Sequence, residues 1–184
     1  MRVSDWTGRP HAEAEIERSG VVTIGRDSRC DIAIRDGTIA RRHCAVVADG
    51  GVAVIVDLES TGGIERDGKR VDGELLSPTD VVHLTDYRLV VSGCAAPDPE
   101  TLARVLRQTE VQPLMLAVLA RSYPNEVFAS PGFRPEALTQ YPQYLDVEVL
   151  RRLCEHVDAE RLREKLRGHR LAKARRLAEI AWGD

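Results

Sequence analysis

The chain has 184 residues, of which 43% are hydrophobic and 30% charged, and its formal net charge is −3. This composition is typical of a globular protein with one large or two small domains. Because the net charge is small and negative, the chain as a whole is not attracted electrostatically to nucleic acid or to an anionic membrane. No apolar run reaches the roughly 20 residues of a membrane span, and MRVSDWTGRPHAEAEIERSG lacks the apolar core of a signal peptide. Four cysteines are widely spaced and form no CxxC pair: Cys30, Cys44, Cys94 and Cys154. We therefore expect a cytoplasmic protein with reduced thiols and with no metal site, cofactor or membrane contact.

The first half of the chain predicts a series of short strands. Runs with two-residue alternation or β-branched content follow one another as AEAEIE, VVTIGR, DIAIRD, CAVVAD, VAVIVDL, GIERDGKRV, VVHL and YRLVVS. Glycine-containing turn signals separate several of them, for example Asp36-Gly37 and Asp67-Gly68. Short strands with regular turns predict an antiparallel β-sandwich, in which the nearly all-apolar VAVIVDL is buried on both faces.

The second half has the longer period of helices. Asp98-Pro99-Glu100 combines a capping residue, a proline at the first helical position and an acid in the first turn. Further helices are predicted for PLMLAVLARS from Pro113, for RPEALTQ, for DVEVLRRLCEHV after Asp146, and for the segment after Asp158. The apolar stripe of that last segment loses its phase near Gly168 and resumes at Leu171, so a kink or a helix-turn-helix is expected at the glycine.

These patterns predict a two-domain β + α protein. An antiparallel β-sandwich is expected over residues 1–95, and an all-α helical bundle over residues 96–184.

Several linked motifs occur in order within residues 21–92. VVTIGRDSRCDIAI contains Gly25-Arg26, CDIAIRDGTIARRHC leads to His43, and DLESTGGIERDGKRV contains a turn and a hairpin. LSPTDVVHL follows, with an aspartate at position 80. Together they resemble the forkhead-associated (FHA) domain family, a β-sandwich that recognises phosphothreonine in partner proteins. The resemblance implies that Gly25, His43 and Gly63 are structural residues of the binding loops.

Two positions depart from the family pattern. Ala40 stands where the family usually has its phosphate-binding serine, and Gly62 stands where it has the asparagine that holds the bound peptide's backbone. A hydrogen bond to a charged group contributes roughly 1.5–3 kcal/mol and a neutral one roughly 0.5–1.5 kcal/mol. Losing both costs roughly 2–4.5 kcal/mol, or about 30- to 2,000-fold in affinity.

Other residues of these loops offer partial compensation. Arg26 is the expected phosphate ligand because a guanidinium donates a fork of hydrogen bonds. Thr38 lies two residues before Ala40 and faces the same side of an extended segment, so its hydroxyl is a candidate donor. The full predicted peptide- and phosphate-binding set is Arg26, Thr38, Arg41, Arg42, Ser60, Thr61 and Gly62.

Little in the sequence indicates an enzyme. His43-Cys44 is not interpreted as a catalytic pair, because adjacent strand residues point to opposite faces. Asp57 and Glu59 suit a turn better than a pair of catalytic carboxylates. No triad order, metal cluster or phosphate-cradling glycine loop is present.

A basic stretch near the end of the chain has two interpretations. It contains Arg161, Arg163, Lys165, Arg167, Arg170, Lys173, Arg175 and Arg176, with Glu160 and Glu164 among them. Such a stretch is typical of a solvated helix face or a contact with an acidic protein. Nucleic-acid binding is the less favoured interpretation, because the chain is acidic overall and only 4% aromatic.

The leading hypothesis is a non-enzymatic protein-interaction adaptor. Its FHA-like domain binds a protein partner independently of phosphate or with weak help from it, and its helical domain binds a second partner or a second copy. The main alternative is a working phosphothreonine reader in Ser/Thr kinase signalling. A third hypothesis makes the helical domain a nucleic-acid binder controlled by the FHA-like domain.

Overall fold

A computed structural model describes residues 1–16, 19–95, 98–107, 111–169 and 172–183. The chain divides into two compact units, Met1–Val105 and Leu106–Asp184. This division lies later in the chain than the change in composition near residue 95. Within the first unit, Arg104 donates a hydrogen bond from Nη2 to the carbonyl of Gly50 at 3.2 Å. The domain boundary between residues 95 and 96 stays a prediction.

The first unit is a β-sandwich of two sheets. Its strands are β1 (Arg2–Asp5), β2 (Pro10–Glu13), β3 (Ser19–Gly25), β4 (Ile32–Ala33), β5 (Cys44–Asp49), β6 (Val52–Asp57), β7 (Ile64–Arg66), β8 (Lys69–Val71), β9 (Gly73–Leu76), β10 (Val81–Leu84) and β11 (Tyr87–Val90). One sheet has the order β2-β1-β11-β10-β7-β8 and the other β4-β3-β5-β6-β9. Neighbouring strands run antiparallel, except that β4 pairs parallel with β3. The predicted antiparallel sandwich is confirmed.

The sandwich core follows the alternation of the strands. On β3, Val22 and Ile24 are buried whereas Val21 is 45% exposed. Every residue of β6 is buried, as predicted for VAVIVDL. Side chains of both sheets meet in one apolar cluster, which includes Ile24, Ile55, Leu76, Leu84 and Leu89.

Some strands differ from their predicted limits. β1 and β9 lie outside the predicted runs. Only Ile32–Ala33 of DIAIRD is a strand, and only the first two residues of AEAEIE belong to β2, which ends at Glu13. Glu17, the last residue of that run, lies outside the described residues.

The predicted helices are confirmed, and α3 and a 3-10 turn occur in addition to them. The helices are α1 (Pro99–Leu106), α2 (Pro113–Ser122), α3 (Pro124–Phe128), α4 (Pro135–Leu138), α5 (Val147–Leu153), α6 (Ala159–Arg167) and α7 (Ala172–Trp182), and the 3-10 turn is at Pro142–Tyr144. Asp98, Asp146 and Asp158 cap helix starts, since each carboxylate accepts a backbone N–H of the first turn.

The second unit packs around α2. All residues from Met115 to Ala120 are buried, and α2 contacts α3, α4 and the 3-10 turn. α7 contacts α5, α6 and the same turn. α6 ends with Gly168 as its C-cap residue, so the predicted break there is confirmed. Arg170 and Leu171 lie outside the described residues.

Two residues of β3 that face opposite sides provide a test of the sandwich core. Ile24→Ala removes a fully buried side chain and is expected to lower the free energy of unfolding by about 2–5 kcal/mol. Val21→Ala on the same strand removes a 45% exposed side chain and is expected to change it by only about 0.5 kcal/mol. Urea denaturation followed by circular dichroism measures both, and equal losses would contradict the assignment of faces.

Candidate functional site

Gly25 and Arg26 mark the point where β3 meets the loop that leads into β5. A Cβ on Gly25 would collide with the carbonyl oxygen of Arg41 and lie 2.9 Å from the Cα of Arg42. The close approach of the two backbones therefore requires glycine. Arg26 donates its backbone N–H to the carbonyl of Ala40 at 2.8 Å.

The side chain of Arg26 is anchored at its base and exposed at its end. Its Nε donates to the carbonyl of Ile39 at 3.2 Å. The residue is exposed, and no ion pair to it occurs within the described part of the chain. The rest of the guanidinium is thus available to a ligand in solution.

His43 joins two loops from a fully buried position. Its Nδ1 accepts the backbone N–H of Ala40 at 3.2 Å, and its Nε2 lies 2.8 Å from the carbonyl oxygen of Gly63. Because the N–H only donates and the carbonyl only accepts, these two partners suit the tautomer that has its proton on Nε2. Both ring nitrogens are engaged within the protein, so neither is free to act as a base.

Cys44 follows His43 and is also fully buried. Burial raises the pKa of its thiol far above the usual value, and the Asp57 carboxylate adds to the rise. A buried thiol with a raised pKa is a poor nucleophile.

The turn after β6 is held together by Ser60. Its Oγ donates to Asp57 Oδ1 at 2.6 Å and accepts the backbone N–H of Gly63 at 2.8 Å. Burial raises the pKa of the Asp57 carboxyl, while the hydrogen bonds from Ser60 act in the opposite direction. Ser60 is only 4% exposed, so its hydroxyl faces the interior and belongs to the framework of the loop. Its predicted role as a peptide-binding residue stays a prediction.

Gly63 supports the same turn. Its φ is +74°, a backbone conformation that favours glycine, and a Cβ there would lie 2.5 Å from Nε of Arg70. Arg70 in turn donates from Nη2 to the carbonyl of Ser60 at 3.1 Å. Glycine at this position thus leaves room for the arginine that ties the turn to β8.

The hydroxyl of Thr38 is already engaged inside the protein. Its Oγ1 and its backbone N–H both donate to Asp36 Oδ1, at 2.7 and 2.8 Å. The hydroxyl of Tyr87 donates to Asp36 Oδ2 at 3.1 Å. The bonds from Thr38 hold the pKa of the Asp36 carboxyl below its usual value, so this group is ionised at neutral pH. A carboxylate therefore lies beside the hydroxyl that was predicted to donate a hydrogen bond to a phosphate.

Gly62 lies between Thr38, His43 and the turn that joins β10 to β11. A Cβ built on it would lie 2.5 Å from Cγ2 of Thr85, 3.4 Å from the His43 ring and 3.7 Å from the carbonyl oxygen of Thr38. The Oγ1 atoms of Thr38 and Thr85 are 3.3 Å apart. The structure therefore brings Thr38, Gly62 and Thr85 together at one loop end.

The remaining predicted residues lie on the same loops. Arg41, Arg42 and Thr61 are exposed. Asp36, Thr85 and Tyr87 were not predicted as site residues. The Asp36-Gly37 pair indicated only a turn, and the β10–β11 turn carried no signal in the sequence.

The basic helices have internal partners for several of their side chains. Lys165 donates to the carbonyl of Thr139 at 2.6 Å, Arg175 donates to the carbonyl of His169 at 2.7 Å, and Arg163 lies 3.5 Å from the Glu160 carboxylate. Arg170 lies outside the described residues. In the part of the chain that the structure describes, no group of three or more His, Cys, Asp or Glu suits a metal ion. None of the described helices has the length and apolar character of a membrane span.

The role of Ser60 in the loop framework leads to a direct test. Ser60→Ala leaves the N–H of Gly63 without its acceptor and removes one of the hydrogen bonds to Asp57, so it is expected to cost about 1–3 kcal/mol of unfolding free energy. Thr61→Ala, at the exposed neighbouring position, is the control and is expected to cost about 0.5 kcal/mol or less. Urea denaturation measures both variants, and a neutral Ser60→Ala would refute the framework role.

Comparisons with known proteins agree with this architecture. Residues 22–85 match the family model of the FHA domain. The chain is 30% identical over 91 residues to the FHA domain-containing protein FhaA of Mycobacterium tuberculosis, a match that covers 50% of this chain and 16% of that protein. It is 34% identical over 68 residues to the glycogen accumulation regulator GarA of Mycolicibacterium smegmatis, covering 37% of this chain and 43% of that protein. The chain thus spans less than half the length of either relative.

A solved structure from work on phosphothreonine-dependent FHA domain interactions is 29% identical to this chain. That match covers 50% of this chain and 96% of the solved one, with a TM-score of 0.41. These matches leave the helical unit without an assigned family. Residues 22–85, which contain the Gly25-Arg26 turn, His43 and the Ser60–Gly63 turn, are an FHA domain.

Proposed function

We propose that this protein is a non-enzymatic protein-interaction adaptor whose FHA domain binds its partner without depending on phosphate. The loop end formed by Arg26, residues 38–42 and residues 60–63, together with Thr85, is the contact surface. The helical unit binds a second partner or a second copy of the chain. FHA-domain homologues act in phosphothreonine-dependent protein interactions, which supports an interaction role for this domain as well.

The observation that carries the proposal is the bond between Thr38 and Asp36. Ala40 has no side-chain donor, so Thr38 is the hydroxyl placed to compensate. That hydroxyl donates to the Asp36 carboxylate at 2.7 Å. A phosphate would have to break this bond and approach an ionised carboxylate, and both steps weaken its binding.

Arg26 supplies electrostatic attraction for an acidic group of the partner. Its Nε is held by the carbonyl of Ile39, while the exposed end of the guanidinium extends into solvent. A guanidinium pairs with a carboxylate through two parallel hydrogen bonds and needs no hydroxyl beside it. Exposed Arg41 and Arg42 add positive charge on the same loop. This surface suits a partner segment that carries acidic or polar side chains.

A working phosphothreonine reader is the alternative, and one observation favours it. Arg26 is exposed, as a phosphate ligand must be. In this alternative Thr38 leaves Asp36 and donates to the phosphate instead.

Calorimetric titration distinguishes the two functions. The wild-type protein and Arg26→Ala are titrated with a pool of phosphothreonine peptides and with the same pool after dephosphorylation. We expect at most weak binding, with Kd in the range of roughly tens of micromolar to millimolar, and little difference between the pools. Tight, phosphate-dependent binding that is lost in Arg26→Ala would overturn the proposal and establish the reader.

Capture of the partner from the native host tests the contact surface itself. Retention is expected to survive phosphatase treatment and to fall in Arg26→Ala and Arg26→Lys, because lysine keeps the charge but lacks the planar fork. Lys69→Ala is the control, since this exposed residue follows the Asp67-Gly68 turn at the far end of β7. Loss of the partner after phosphatase treatment, or equal loss with Lys69→Ala, would contradict the proposed surface.

A further inference from the structure

The space beside Gly62 is already filled by another residue. A Cβ at position 62 would lie 2.5 Å from Cγ2 of Thr85, which is closer than side-chain carbons approach one another. The φ angle of Gly62 is not among the positive values of this chain, so its backbone conformation alone does not require glycine. The steric reason for glycine at position 62 is the methyl group of Thr85.

Thr85 is held so that its methyl group stays there. It is the first residue of the two-residue turn between Leu84 and Tyr87, and its φ is +54°, which is unusual for a β-branched residue. Its Oγ1 donates to the carbonyl of Leu84 at 2.7 Å and lies 3.3 Å from Oγ1 of Thr38. Rotating the side chain about χ1 would move the methyl away from Gly62, but it would also displace the hydroxyl from these contacts.

We infer that Thr85 is a specificity-determining residue of the loop end, which occupies the space of a side chain at position 62 and closes it to the peptide-holding asparagine implied by the family resemblance. This inference rests on the proposed function, in which the loop end is the partner-binding surface. Ala40, Gly62 and Thr85 then act together, and restoring serine and asparagine at positions 40 and 62 alone does not recreate a phosphothreonine reader. Thr85 itself presents the exposed surface that the partner meets at this point.

A double-mutant cycle tests the coupling without any ligand. Gly62→Ala is expected to lower the Tm of the FHA domain by about 4–8 °C, and Thr85→Ser, which removes only the obstructing methyl, is expected to cancel most of that loss. Gly37→Ala is the matched control, because a Cβ on Gly37 meets no atom within 4 Å. If Gly62→Ala costs the same in the wild-type protein and in the Thr85→Ser variant, the inference is overturned.

A binding experiment tests its consequence for specificity. Ala40→Ser with Gly62→Asn is compared with the same pair plus Thr85→Ser, by titration with the phosphothreonine peptide pool and its dephosphorylated form. The triple variant is expected to bind the phosphorylated pool about tenfold or more tightly than the double variant. Equal affinities of the two, including no binding by either, would overturn the role in specificity. If the parent protein itself proves a tight reader, the proposed function fails, while the stability cycle still reports on Thr85 and Gly62.

Discussion

The loop end depends on one buried imidazole. His43 accepts the N–H of Ala40 on one side and donates to the carbonyl of Gly63 on the other, at 3.2 and 2.8 Å. These two bonds fix the loop that carries Ala40 relative to the turn that carries Gly62. Since the ring is fully buried, removing it would leave a backbone donor and a backbone acceptor unsatisfied in the interior. The geometry of every other group at this end is therefore tied to a residue that does not reach the surface.

The framework and the exposed face of this site obey different constraints. Gly25, His43, Ser60 and Gly63 are buried and act through close backbone contacts or internal hydrogen bonds. Their identities follow from the stability of the sandwich, whatever it binds. The exposed residues are free of that constraint, and the half-buried Ala40 contributes only its backbone to the framework, so the fold does not depend on its side chain. An intact set of framework residues is therefore evidence for the FHA fold and gives little information about phosphate binding.

Sequence patterns predicted the sandwich and the helices because buried apolar residues recur along the chain with the period of a strand or of a helix. β6 was recognised from its continuous apolar run, and α5 and α6 from the capping aspartates that precede them. Short strands such as β1 and β9 give a weaker sequence signal, since four residues carry too little alternation. The framework role of Ser60 was not predicted because sequence alone does not show which way a turn hydroxyl points. Thr85 was missed because it meets Gly62 only through the folding of β10 and β11 beside the turn that follows β6.

The meeting of Thr85 with Gly62 also changes how the departures from the family pattern are understood. The family resemblance implies an asparagine at position 62, which a single substitution of Gly62 would supply. In the folded protein the space beside Gly62 holds the Thr85 methyl group. The Thr85 hydroxyl donates a hydrogen bond to the carbonyl of Leu84 and lies beside the hydroxyl of Thr38. The Thr38 hydroxyl in turn donates to the Asp36 carboxylate. Three segments of the chain thus pack against one another around Gly62. A surface that had simply decayed would leave an empty groove, whereas this one is packed and hydrogen-bonded while Arg26 remains exposed beside it. That combination suits the proposed loop end, which binds its partner without depending on phosphate.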